Sequence, residues 1–208
     1  MTVVQALLAF SAAAALLTLT PGLDTALVLR TAAVEGPKRA GLAAIGIGAG
    51  CLIWGAAAAL GLAALLQASA MAFNILKWAG AAYLVWLGIG MLLKPRNSFE
   101  VGAAEATGAS ALAWLRKGFL TNLLNPKVGV FYVSFLPQFL PKGVAPAPFI
   151  FLLASLHVLM GLVWFAALIA ATRPIARVLK RPAVVRWLDR TTGLVFLGFG
   201  AKLALERR

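Results

Sequence analysis

Leu16-Leu17-Thr18-Leu19-Thr20-Pro21-Gly22-Leu23-Asp24 interrupts an apolar segment that runs from about Val3 to Leu29. Pro21 removes a backbone donor and clashes with the preceding turn. Gly22 frees the backbone further. The Asp24 carboxylate would cost about 2.5–3.5 kcal/mol at a bilayer centre on insertion scales. A counterpart stands half a chain later, Phe119-Leu120-Thr121-Asn122-Leu123-Leu124-Asn125-Pro126-Lys127. It too is a broken apolar segment with a proline and one charge, of opposite sign. Interrupted hydrophobic segments in corresponding halves of a chain point to a transporter binding site.

Composition sets the frame. The 208 residues are 62% hydrophobic and only 12% charged, with a mean hydropathy of +0.93. Soluble domains are about 45–50% apolar and about 25% charged, so the chain reads as an integral membrane protein. Spans of about 20 apolar residues leave room for six helices and short loops. The net charge of +13 sits in loops between apolar runs. It is read as topology and anionic-lipid contact rather than nucleic-acid binding. Cys51 is the single cysteine. No disulfide, CxxC or Cys/His metal cluster is expected, nor any cofactor, and Cys51 reads as a packing residue. Met1 to Gln5 carries no lysine or arginine, so the first apolar run reads as a spanning helix rather than a cleaved leader.

Helix 1 is expected over about Val3–Leu29, helix 2 over Gly41–Leu66 and helix 3 over Phe73–Leu93. Residues 94–117 read as a linker. Helix 4 is expected over Gly118–Phe139, helix 5 over Pro148–Thr172 and helix 6 over Trp187–Leu205. The basic stretch Arg173–Arg190 could hold an interfacial amphipathic helix. The halves also match each other. Tyr83–Gly90 resembles Gly193–Gly200, and Leu52–Ala57 resembles Leu162–Ala167, both at an offset of 110. Pro21 and Pro126 are offset by 105. Three elements in order imply two repeats, 1–93 and 118–208, within one transmembrane domain. With three helices per repeat, the second copy must enter from the opposite side. The expected fold is therefore an all-α membrane protein of six spans, a three-plus-three inverted repeat with helices 1 and 4 broken. Thirteen lysines and arginines fall in or beside the loops after helices 1, 3 and 5 and five on the other side, with Lys127 inside. The positive-inside rule then places both termini outside the cytoplasmic membrane.

The candidate site follows from the breaks. Asp24 reads as a proton-carrying or cation-binding carboxylate in a polar cavity, or alternatively as an interfacial partner of Arg30 or another loop cation. Lys127 would hold a substrate carboxylate or pair with Asp24, unless it snorkels to the interface. Thr20, Asn122 and Asn125 add neutral polar groups, and Pro21, Gly22 and Pro126 shape the breaks. A zwitterion suits this set, with its carboxylate at Lys127 and half-helix N-termini and its ammonium at Asp24 and unwound carbonyls. Asn125 would also cap a half-helix. His157 reads as a hydrogen-bonded packing residue before a proton relay. Asp189 and Arg190 read as an interfacial pair, and Trp54 and Trp164 as core or belt residues.

These motifs resemble the LysE/RhtB family of amino-acid exporters. The resemblance rests on Thr20-Pro21-Gly22 with Asp24, Gly36, Gly41, and Lys77 to Gly88 with Gly80 and Tyr83-Leu84. In the second half it rests on Gly118-Phe119-Leu120, Asn122, Asn125-Pro126-Lys127 and Pro137-Gln138-Phe139. Leu23 stands where the family usually has a second proline, which implies a softer break. The resemblance implies a non-enzymatic secondary transporter exporting amino acids or related solutes, driven by the proton gradient or membrane potential. It does not choose among lysine, arginine, threonine, homoserine and others. Lipid and the solute are the expected partners, and the glycine-rich faces of helices 2 and 3 would permit a homodimer. A carrier of another solute or of a divalent metal is the first rival reading. A non-transporting membrane partner or enzyme is the second.

Overall fold

The computed structural model describes residues 1–68, 70–95, 110–172, 178 and 181–205. The side chains of 62–70, 72–74, 76, 77, 126, 127, 130, 202 and 203 fall outside that description. The described residues form eight α-helices: α1 (Val3–Leu19), α2 (Leu23–Val34), α3 (Pro37–Ala68), α4 (Ala70–Leu93), α5 (Ala111–Leu123), α6 (Pro126–Phe135), α7 (Pro146–Ala170) and α8 (Pro182–Leu205). A 3-10 turn, Leu136–Phe139, follows α6, and no strand occurs among the described residues. Pro37–Gly61 and Pro146–Ala170 are each long and apolar enough to cross a membrane. The α1–α2 pair passes the same test as one span bent by 54°. Many large apolar side chains face outward, among them Leu8, Ile53, Leu60, Trp86, Leu159 and Val163. A soluble monomer rarely exposes so much contiguous apolar surface, and a lipid environment covers it.

The first break lies where the proline and glycine place it. The α1 helix opens with a reciprocal cap between Thr2 and Gln5 and stops at Leu19, because Pro21 has no N–H with which to continue the ladder. Gly22 is extended, and α2 restarts at Leu23 with Asp24 in its first turn, where a carboxylate complements the helix dipole. The second break falls at Leu124 and Asn125. Several helices begin earlier than the sequence suggests. Pro37, Pro126, Pro146 and Pro182 each open a helix. Proline is favoured there because the first N–H of a helix has no partner to lose. The α5 helix starts at Ala111 instead of Gly118, capped by the Ser110 side chain. Residues 96–109 of the expected linker, and 173–177, 179 and 180 of the expected interfacial helix, lie outside the described residues.

Glycines set the helix contacts. A methyl group added at Gly46 would run into the Leu115 carbonyl, and one at Gly118 into the Ala43 carbonyl. The α3 and α5 backbones therefore touch along a parallel register, 43 to 118 and 50 to 122. In the α3–α7 contact the order reverses. Gly48 meets Val158 and Leu162, whereas Gly55 meets Ala154. The α4–α8 contact also reverses. A methyl at Gly88 would lie 2.7 Å from the Gly193 carbonyl oxygen, one at Gly193 would lie 2.9 Å from the Gly88 carbonyl oxygen, and Gly200 meets Val85. These two pairs are antiparallel. A core of Phe10, Phe131, Phe135, Phe139, Phe196 and Phe199 joins α1, α6, the 3-10 turn and α8.

Candidate functional site

The two breaks share one cavity of about 510 Å³. Leu17, Thr18 and Thr20 line it from the end of α1, and Gly22, Asp24 and Thr25 from the start of α2. Ile47, Gly48 and Cys51 contribute from α3, and Asn122 and Asn125 from the second break. Phe131 and Tyr132 come from α6, and His157, Gly161, Leu162 and Phe165 from α7.

Asp24 and Asn122 join the breaks. Asn122 Nδ2 donates to Asp24 Oδ2 at 2.8 Å, a bond between residues 98 positions apart in the chain. Asn122 is fully buried in the last turn of α5. Its carbonyl accepts the Asn125 N–H at 3.0 Å, because Pro126 offers no N–H for the usual helical bond. Gly50 of α3 makes room for this side chain, since a methyl there would lie 2.7 Å from Asn122 Oδ1. Cys51 and Tyr132 line the same cavity as Asp24 and Asn122. Asp24 thus stands on the cavity wall.

Thr20 is buried at the first break. Its hydroxyl gives its proton to the Leu16 carbonyl at 2.7 Å, so the Thr192 hydroxyl donates to Thr20 Oγ1. This bond ties the break to α8. The Leu17 carbonyl would ordinarily bond the N–H at position 21, and Pro21 has none. Leu17 itself lines the cavity. Gly22 needs no left-handed backbone, and a methyl group there would meet nothing within 4 Å. Gly22 itself lines the cavity. Asn125 lines the cavity, and its carbonyl accepts from Val128 and Gly129 as α6 begins. Lys127 lies in the first turn of α6, and its side chain, with the expected Asp24 pairing, lies outside the described residues.

The structure adds Tyr132, which the sequence did not single out, and places His157 and Cys51 beside the cavity. Tyr132 is fully buried and its hydroxyl lies 2.8 Å from His157 Nδ1. His157 is hydrogen-bonded, as its sequence context suggests, yet it also stands on the cavity wall. Cys51 lines the cavity as well. One signal was available for Tyr132. Asn125, Val128 and Tyr132 recur at helical spacing, so they share a face of α6. Trp54 packs across Gly129 of α6, where a methyl would lie 2.5 Å from the indole, which fits the core reading of that tryptophan. Asp189 is buried while Arg190 is exposed.

Residues 15–207 match the family model described as LysE type translocator. The chain is 33% identical to a leucine efflux protein of Klebsiella pneumoniae, over 95% of this chain and 93% of the relative. It is 32% identical to a threonine efflux protein of Salmonella typhi, over 91% and 92%. It is 29% identical to an uncharacterized membrane protein of Bacillus subtilis, over 97% and 100%. No solved structure matches the chain.

Proposed function

Because the chain belongs to the LysE type translocator family, we propose that the cavity at its two breaks is where it binds the amino acids it exports. The chain is a multi-pass membrane transporter and not an enzyme. The observation that carries the site assignment is the Asn122–Asp24 hydrogen bond, which joins both interrupted segments at one cavity.

A zwitterion is held by complementary ends. Its ammonium meets the Asp24 carboxylate and the Leu17 carbonyl that Pro21 leaves without a helical donor. Its carboxylate meets Asn125, Lys127 and the first N–H groups of α6, where the helix dipole favours negative charge. Both ends of the solute are then desolvated against preplaced partners, which offsets the cost of taking charge out of water. The scaffold is an inverted repeat of three spans each. The antiparallel α3–α7 and α4–α8 contacts support it, since corresponding helices of inverted repeats run in opposite directions. Transport proceeds by rocking one repeat against the other around this fixed site. The protein sits in the cytoplasmic membrane with both termini outside, and export draws on the proton gradient or the membrane potential.

The test is efflux of preloaded labelled amino acids from cells with and without the protein. Selective loss of one or a few amino acids supports the reading. It is abandoned if an Asp24→Asn, Lys127→Met double variant, at wild-type abundance, exports as well as the parent.

A further inference from the structure

The outer face of α5 carries a second recess, a groove of about 460 Å³ lined by Ala113, Arg116, Lys117, Leu120, Thr121 and Leu124. These positions recur at helical spacing, so they form one stripe along the helix. The other side of α5 is occupied. Trp114, Gly118 and Asn122 are buried there, with Gly118 against the Ala43 carbonyl and Asn122 against Gly50 of α3. At about 100° per residue, Leu120 and Leu124 stand about 200° around the helix from Asn122. The groove therefore backs onto the second break from the side away from the cavity.

The stripe changes character along its length. Arg116 and Lys117 are exposed, and neither has a carboxylate partner among the described residues. The Lys117 ammonium is held over the Trp114 ring, 4.7 Å from its centroid, a contact that orients the charge without neutralising it. One turn on, Thr121 has no hydrogen-bond partner among the described residues. Thr18, Thr20, Thr31, Thr172 and Thr191, by contrast, each donate to a carbonyl four residues back. Leu120 and Leu124 complete the groove with apolar surface, and Leu124 is 74% exposed. Two cations, a hydroxyl and leucines thus succeed one another over about 12 Å of helix. Phosphate, glycerol and acyl chain follow in the same order in a phospholipid. The two cations also stand where α5 turns apolar, since residues 118–124 carry no charge, and long basic side chains settle at that boundary. A second copy of the chain is a poor match for them. Of its described carboxylates, Asp24 lies in the cavity, Glu35 is bound to Arg39 and Asp189 is buried, so none is exposed to meet Arg116 and Lys117.

We propose that this groove binds one anionic phospholipid, with its headgroup at Arg116, Lys117 and Thr121 and an acyl chain along Leu120 and Leu124. A lysine or arginine beside an anionic headgroup strengthens binding about fivefold, so the pair should favour an anionic over a zwitterionic lipid about twentyfold. The purified full-length protein is stripped of lipid in nonionic detergent. It is then titrated with dioleoyl phosphatidylglycerol, dioleoyl phosphatidylcholine or inorganic phosphate, and bound lipid is counted by native mass spectrometry. Wild-type protein is expected to hold one phosphatidylglycerol at least tenfold more tightly than phosphatidylcholine, with the preference shrinking as salt is raised. Inorganic phosphate should not displace it, because it lacks the chain that the leucines hold. Arg116→Gln combined with Lys117→Gln removes the preference. Leu124→Asn weakens both lipids and keeps the preference. Lys94→Gln combined with Arg181→Gln, which removes two exposed charges outside the groove, leaves binding unchanged. Monodisperse elution of each variant from size exclusion keeps folding out of the comparison. Equal wild-type affinity for the two lipids overturns the proposal, as does an unchanged preference in the Arg116, Lys117 variant or an equal loss in the Lys94, Arg181 variant. Displacement by inorganic phosphate overturns it in favour of a free-anion site, and loss of a dimer in place of a lipid overturns it in favour of a second copy. Each of these failures leaves amino-acid export standing, since lipid binding is read without any cargo.

Discussion

At Asp24 a carboxylate on one interrupted helix accepts a hydrogen bond from Asn122 on the other. Hydrogen bonds to charged groups contribute about 1.5–3 kcal/mol, more in a water-poor surround. Asn122→Ala removes the donor and opens a gap beside Gly50. It is expected to lower both the melting temperature in detergent and the efflux rate. Asp24→Asn keeps the shape and removes the charge. It should leave the melting temperature close to wild type and cut transport at least tenfold, if the ammonium is the group that Asp24 holds. Thr20→Val removes the acceptor for Thr192 and the back-bond to Leu16. Its predicted effect is mainly on transport rate, because it loosens the contact between the break and α8 while keeping the volume.

At the scale of the helix, Pro21 carries the first break. Pro21→Ala supplies the missing N–H and removes the clash with the preceding turn, a conflict that costs about 3 kcal/mol in a helix interior. The variant is expected to melt at a higher temperature and to lose transport, since the Leu17 carbonyl is then taken up by the ladder. A lower melting temperature with transport retained would show that the bend is set by tertiary packing. The breaks were legible in the sequence because Pro21, Gly22, Pro126 and the charges beside them are costly in an apolar run. The helix starts were less legible. Pro37 and Pro146 fall in expected loops, and Pro182 in the basic stretch before helix 6, whereas the structure places all three in first turns. Tyr132 and His157 were harder still. An aromatic or a single histidine on an apolar helix has the same local pattern whether it faces a core or a cavity, and only the α6–α7 contact distinguishes the two.

Across the whole molecule, glycines let backbones meet where side chains would hold them apart. Gly46 and Gly118 bring α3 and α5 into backbone contact, and Gly88 and Gly193 do the same for α4 and α8. Gly118→Leu overfills the first contact at a cost of about 1–3 kcal/mol or more. It should yield little monodisperse protein, whereas Gly90→Leu, at a position where a methyl group would meet nothing within 4 Å, should be tolerated. The α3–α7 and α4–α8 contacts run antiparallel, and the Asn122–Asp24 bond joins the two breaks at the cavity between them. The most direct test of that site is counterflow in proteoliposomes. Wild-type and Asp24→Asn protein are reconstituted at equal amounts and offered a mixture of labelled amino acids against the same mixture unlabelled. Wild-type vesicles are expected to take up label, with at least a tenfold loss in Asp24→Asn. Equal uptake by both would place the transport site elsewhere in the chain.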